Sequence, residues 1–283
     1  MTYPNFIILG TQKAGTRWML NMLVQHPDIF MAQSEVHYFD RPDNFAKGPE
    51  WYAGHFEGAR GEAAIGEKTP SYLIMEKKDP TGMARRIHEL VPDAKLIAIL
   101  RNPVERAISA INHHIRVGYL AADVDLDEAV PRFIQEDRAY IRYGYYHRHL
   151  MAYRQFFDPS QMLVLIYEDD VVAQPLATLQ RVCGFLGVDP DFAFAGLEKR
   201  YNEGRLSGFA LRLVQMLPVG RHATARLLSG VERFIGVRGE KKRPASLALE
   251  RLYELYEPEN AKLFDLLGRE VTSWARTEAY ITR

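Results

Sequence analysis

Continuous apolar runs alternate with segments of helical period along this chain. Phe6-Ile7-Ile8-Leu9, Ile29-Phe30-Met31-Ala32, Leu96-Ile97-Ala98-Ile99-Leu100 and Met162-Leu163-Val164-Leu165-Ile166-Tyr167 are short apolar runs. Such runs read as strands buried on both faces. After the first, Trp18, Met19, Leu20, Met22 and Leu23 give the apolar face of a helix from about Thr16 to about Gln25, ended by His26-Pro27. Trp51, Tyr52 and Phe56 predict one small helix, and Met83 to Val91 another. Asn102 is a good N-cap and Pro103 a good first residue for the helix that carries Val104 to Ala110. Residues 121–138 are acidic, loop-like and then helical. Tyr145, Tyr146, His149, Leu150, Tyr153, Phe156 and Phe157 predict one long aromatic helix from Tyr140 to Phe157. Glu168-Asp169-Asp170 caps a helix running through Leu186, and the last helices span about Ser246 to Leu267, with Trp274 near the tail. The alternation predicts an α/β fold, a mostly parallel central sheet flanked by helices on both faces.

Residues 205–238 read differently. Leu206, Phe209, Leu213, Val214, Leu217, then Leu227, Leu228, Val231, Phe234 and Ile235, alternate with Arg205, Arg212, Arg221, Arg226 and Arg233. Two basic amphipathic helices around Pro218 fit, either packed on the core with a solvated basic face, covering a substrate cleft, or in peripheral contact with a membrane. The expectation is a single domain over 1–283 with this insert as a lid or acceptor-binding element.

In such sheets ligands gather beyond the carboxyl ends of strands. Four cationic or acidic positions sit there: Lys13, Glu35, Lys68 and Arg101. Gly10 to Gly15 is a tight turn between strand and helix, containing Lys13, Ala14 and leading to Thr16 and Arg17. It is either an ordinary glycine turn or a cradle that holds a nucleotide 5′-phosphate on backbone N–H groups and a helix start. The spacing is P-loop-like without being the nucleotide-kinase motif, because Thr16-Arg17 follow Gly15 where Lys-Ser/Thr belongs. The apolar run 96–100 ends in Arg101 and offers no Asp for magnesium, so the reading is phosphate binding without metal. Arg101 and Ser109 make a clamp for a second phosphate.

Glu35, His37 and Asp40 fall within six residues beside two aromatics; if the segment is extended, Glu35 and His37 share a face. A carboxylate pressed on aromatic rings has its pKa raised and suits a general base, whereas the plainer reading is a solvated loop. Lys68, before Thr69-Pro70, either faces the same cleft or lies in a surface turn. Gly239-Glu240-Lys241-Lys242-Arg243 is a basic loop suited to anions.

Composition narrows the class. The chain has 283 residues, 47% hydrophobic and 25% charged, which is that of a globular protein. Its 36 basic and 36 acidic residues balance, against a protein that coats nucleic acid. Cys183 is the one cysteine, so neither an intrachain disulfide nor a cysteine metal cluster forms. No signal region and no long apolar span is read, and the expectation is a cytoplasmic enzyme without a transmembrane segment.

Taken together these motifs resemble the sulfotransferases that use 3′-phosphoadenosine-5′-phosphosulfate (PAPS). Thr11-Gln12-Lys13-Ala14-Gly15-Thr16 is similar to their 5′-phosphosulfate loop, and Arg101 to Ser109 to their 3′-phosphate motif. Glu35 to Asp40, Glu67-Lys68-Thr69-Pro70 and Glu257 to Phe264 resemble segments of the heparan sulfate glucosaminyl sulfotransferases. The resemblance implies a sulfotransferase fold and sulfuryl transfer from PAPS to a hydroxyl or amine of a small-molecule or glycan acceptor. It implies Lys13 on the phosphosulfate, Arg101 and Ser109 on the 3′-phosphate, and Glu35 as base. Lys68 would stand on the acceptor side or stabilise the transition state, with His37 beside the pair and Lys241 to Arg243 over the cofactor. Arg17 departs from the family, which more often has a small hydroxylated residue there. The competing readings are a P-loop small-molecule kinase and a non-catalytic nucleotide- or sulfated-glycan-binding protein.

Overall fold

The computed structural model describes residues 1–198 and 242–276. The expected helices of 205–238 and Lys241 lie outside the described residues.

Five strands form one parallel sheet: β1 (Phe6–Gly10), β2 (Ile29–Met31), β3 (Ala64–Lys68), β4 (Lys95–Leu100) and β5 (Met162–Ile166), in the order β2-β3-β1-β4-β5. Ten described helices are α1 (Thr16–Leu23), α2 (Pro42–Phe45), α3 (Pro49–Ala53), α4 (Gly82–Leu90), α5 (Pro103–Arg116), α6 (Leu126–Gln135), α7 (Ala139–Arg142), α8 (Tyr146–Tyr153), α9 (Pro175–Leu186) and α10 (Ser246–Leu267). Among the described residues no helix is long and apolar enough to cross a membrane.

The described residues divide into two compact units. The first comprises 1–102, 145–198 and 259–274 and contains the whole sheet. Alternation along the strands builds a core on each side of it. Ile7 and Leu9 of β1 and Leu96, Ala98 and Leu100 of β4 pack with Met83 and Ile87 of α4 and with Tyr146, Leu150 and Tyr153 of α8. Phe6 and Ile8, with Ile97 and Ile99, face the other way onto Trp18, Met19 and Met22 of α1 and Leu179 and Val182 of α9. Both faces are covered, so the strands read as unbroken apolar runs. The second unit comprises 103–144, 242–258 and 275–276 and holds α5, α6, α7 and the first part of α10.

Two helix expectations are corrected. The helix expected over Tyr140–Phe157 is two helices, α7 and α8, interrupted at Gly144. A Cβ at Gly144 would lie 2.5 Å from the Tyr256 ring, so this position serves close approach rather than helix continuity. The acidic run 168–170 does not cap α9: it lies inside a π-helical turn, Tyr167–Val172, and α9 restarts at Pro175. Gln174 is forced out of helical geometry by the proline after it. The small helix expected around Trp51, Tyr52 and Phe56 is α3, continued without a break by a 3₁₀ turn at Gly54–Phe56.

Candidate active site

β1 has β3 on one side and β4 on the other, so the chain reverses its direction of strand addition there. The crevice beyond such a reversal is where open α/β sheets take ligands. The loop that leaves β1 is shaped by two glycines. Gly10 has φ 140° and a Cβ there would stand 2.5 Å from the Pro70 carbonyl oxygen. Gly15, at φ 86°, begins α1 and provides no side-chain cap for its first turn. With no N-cap side chain to accept from them, the N–H groups of that turn favour an anion. The Thr11 hydroxyl is buried with no hydrogen-bond partner among the described residues.

Arg101 follows β4 and brings its guanidinium to this loop: Nη1 donates to the Lys13 carbonyl over 3.0 Å. The same group lies over the Tyr167 ring, 5.2 Å from its centroid, with Nε 3.9 Å from Glu168 Oε1. Lys13 itself sits at φ 72°. The other loop positions differ in what they present. The Ala14 side chain belongs to the core and its N–H donates to the Thr11 carbonyl. Thr16 is buried, and Arg17 is exposed to solvent.

A second group forms at the end of β3. Lys68 Nζ donates to Glu35 Oε1. His37 Nε2 lies 3.4 Å from Glu35 Oε2, and its Nδ1 lies 2.8 Å from Asp40 Oδ2. The Ser71 hydroxyl donates to that same Asp40 oxygen. Val36, Tyr38 and Phe39 are buried and anchor the segment, while His37 takes φ 54°.

The electrostatics correct one expectation. Burial pushes the Glu35 carboxyl up, but the hydrogen bond from His37 and the charge and hydrogen bond of Lys68 outweigh it, and the group is held at about 2. Burial likewise pushes His37 down, yet its bonds to Asp40 and Glu35 raise it to about 9. At neutral pH Glu35 and Asp40 are carboxylates and His37 is an imidazolium.

The structure thus joins Lys13 with Arg101, and Glu35 with His37 and Lys68. Ser109 is half-buried on α5, in the second unit. Also there, Lys242 exchanges two hydrogen bonds with Asn112, N to Oδ1 at 2.9 Å and Nδ2 to its carbonyl at 2.8 Å, and its Nζ donates to the Val124 carbonyl. Arg243 pairs with Glu105 at 2.6 Å. Among the described residues no cluster of three or more His, Cys, Asp or Glu has metal-holding geometry.

Sequence reasoning named Asp40 beside Glu35 and His37 without giving it a role, passed over Ser71 and treated Glu168 as a helix cap. Asp40 had a usable signal, three residues after His37. Glu168 had a positional one: it follows the end of β5 much as Arg101 follows β4. Its carboxylate accepts from Asn102 N at 3.1 Å and from Trp274 Nε1 at 2.9 Å, and burial raises its pKa.

Residues 3–202 match the family model described as a sulfotransferase domain. The chain is 28% identical over 281 residues to heparan sulfate glucosamine 3-O-sulfotransferase 6 of Mus musculus, covering 95% of this chain and 73% of that protein. It is 31% identical over 198 residues to heparan sulfate glucosamine 3-O-sulfotransferase 5 of Mus musculus, covering 66% of this chain and 54% of that one. Among solved structures, a sulfotransferase from Alicyclobacillus acidocaldarius is similar at TM-score 0.69 and 26% identity, covering 98% of this chain and 100% of that one.

Proposed function

This chain belongs to the sulfotransferase family, and on that premise we propose that it transfers a sulfuryl group from PAPS to a hydroxyl of a carbohydrate acceptor. The observation that carries the reading is placement: the Lys13–Arg101 contact and the Glu35–Lys68 pair stand at the carboxyl ends of three neighbouring strands, β1, β3 and β4. The family match passes through both compact units, which supports one functional domain. The names of the curated relatives support glucosamine hydroxyls as the acceptor class.

The donor set suits an anionic nucleotide. Lys13, the uncapped first turn of α1 and the Thr11 hydroxyl supply positive charge and hydrogen-bond donors for a phosphosulfate. Arg101 supplies a planar fork for the 3′-phosphate. When bound, the nucleotide supplies an activated sulfuryl group. Glu35 takes the proton that the acceptor hydroxyl gives up, a role worth about 10²–10⁴-fold. While Lys68 and His37 hold it at about 2, Glu35 is a weak base. An arriving anion competes for Lys68, which loosens the pair and makes Glu35 more basic once the donor is in place. His37, raised to about 9, is already protonated at neutral pH and orients Glu35 rather than accepting a proton.

The test is incubation with PAPS and glucosamine-containing oligosaccharides in EDTA, with mass spectrometry of the products. A gain of one SO₃ per acceptor is expected. Transfer of a phosphoryl group from ATP that requires Mg²⁺, with none from PAPS, would overturn the reading in favour of a kinase.

A further inference from the structure

Lys68 has a neighbour in the strand that the mechanism leaves unused. Glu67 points to the opposite face of β3, into the core, and is fully buried. Its carboxylate accepts from Tyr52 Oη at 2.6 Å and from Thr69 Oγ1 at 2.8 Å, and the Tyr72 hydroxyl also bonds to it. Burial pushes its pKa up to about 7, against the pull of those three hydroxyls. A buried carboxylate held only by hydroxyls is costly for stability, and an apolar side chain there would fold more cheaply. Its presence there calls for another reason.

The reason lies in what the hydroxyls do next. Tyr72 Oη accepts from the Tyr38 N–H at 2.9 Å and the Phe39 N–H at 3.5 Å. Thr69 Oγ1 accepts from the His37 N–H at 3.5 Å. The Tyr52 ring stacks on Tyr38, centroids 4.7 Å apart. All three partners of Glu67 therefore touch the backbone or rings of 37–39, the short stretch between Glu35 and Asp40. A hydroxyl has one proton. Giving it to Glu67 leaves only lone pairs toward the chain, and lone pairs are what a backbone N–H requires.

We propose that Glu67 is a positioning residue, a buried acceptor whose three hydroxyl donors fix the backbone of 37–39 and so set the Glu35–His37–Asp40 group against Lys68. The role in turnover rests on the function proposed above; the role in ordering the backbone does not. Glu67→Gln is nearly isosteric, yet its amide nitrogen donates. The hydroxyl that faces this nitrogen must then turn round, and where it is that of Tyr72 or Thr69 its proton points at an N–H it formerly served.

Two measurements test this on the full chain. Hydrogen exchange of the segment containing Tyr38 and Phe39 should speed at least tenfold in Glu67→Gln and in Tyr72→Phe, because both break the same relay. With PAPS and an active acceptor, kcat should fall at least tenfold in each, KM for PAPS should stay within twofold, and the double variant should fall no further than the worse single one. The melting temperature of Glu67→Gln at pH 8 should equal or exceed that of the parent, a result a merely structural role would not give. Unchanged exchange, unchanged kcat, or a kcat loss matched by a lower melting temperature would overturn the proposal. If the parent protein turns over no acceptor, the functional reading fails separately, and the exchange result still decides whether Glu67 orders the segment.

Discussion

The Arg101 guanidinium donates to the main-chain carbonyl of Lys13 over 3.0 Å, which ties the end of β4 to the glycine loop after β1. The bond goes to the Lys13 backbone, so the Lys13 side chain is not needed for it. Lys13→Ala should keep the loop in place and the melting temperature near that of the parent. Loss of a charged partner for phosphate costs about 1.5–3 kcal/mol, so KM for PAPS should rise and kcat/KM fall at least tenfold. Steady-state kinetics beside a thermal melt checks both halves.

In the proposed reaction Glu35 takes the acceptor's proton, and its contacts here are with Lys68 and His37. Glu35→Gln should lower kcat by about 10²–10⁴-fold while the affinity for adenosine 3′,5′-bisphosphate stays within about twofold. Lys68→Ala removes the charge that helps hold Glu35 at about 2. The acid limb of its kcat/KM profile should therefore move to higher pH than in the parent, as a pH–rate series would record.

His37 links stability to pH. Its folded pKa is raised from 6.5 to about 9, so the protonated ring stabilises the fold fully below pH 6.5 and that contribution is lost as pH rises through 9. At 1.36 kcal/mol per unit the contribution is up to about 3 kcal/mol. Glu35, whose pKa is lowered from 4.5 to about 2, acts in the other window: its share is present above 4.5 and is lost as pH falls toward 2. Chemical denaturation across pH 6 to 10 should show the parent losing stability on the alkaline side. His37→Gln should be less stable at pH 6 and flatter across that range.

Gly15 has φ 86°, and a Cβ on it would fall 2.9 Å from the Tyr167 ring. Gly15→Ala combines a left-handed backbone with that contact and should cost about 1–3 kcal/mol. Because Arg101 lies over the same ring, displacing Tyr167 should also weaken nucleotide affinity. Calorimetry of the free protein and of its nucleotide complex would register both effects.

Much of the frame was legible because it rests on local pattern. Phe6–Leu9 and Leu96–Leu100 are unbroken apolar runs, and a strand covered on both faces has no other signature. Arg101 and Lys13 were legible by position, directly after those runs. What stayed hidden depends on distant partners. The direction of the Glu35 shift turns on Lys68, 33 residues away and bonded to it. The break at Gly144 follows from Tyr256, whose ring takes the space a side chain would fill. Glu67 sits in a five-residue strand of burial that its own letters, Ala-Ile-Gly-Glu-Lys, do not announce.

The central claim is that Lys13 and Arg101 grip two phosphate groups of one nucleotide. Calorimetric titration with adenosine 3′,5′-bisphosphate and with 5′-AMP, on the parent and on Arg101→Ala, tests it without any acceptor. The parent should bind the bisphosphate at least tenfold more tightly, and Arg101→Ala should bring the ratio close to one. A parent that binds the two nucleotides equally, or an Arg101→Ala variant that still prefers the bisphosphate as strongly as the parent does, would contradict it.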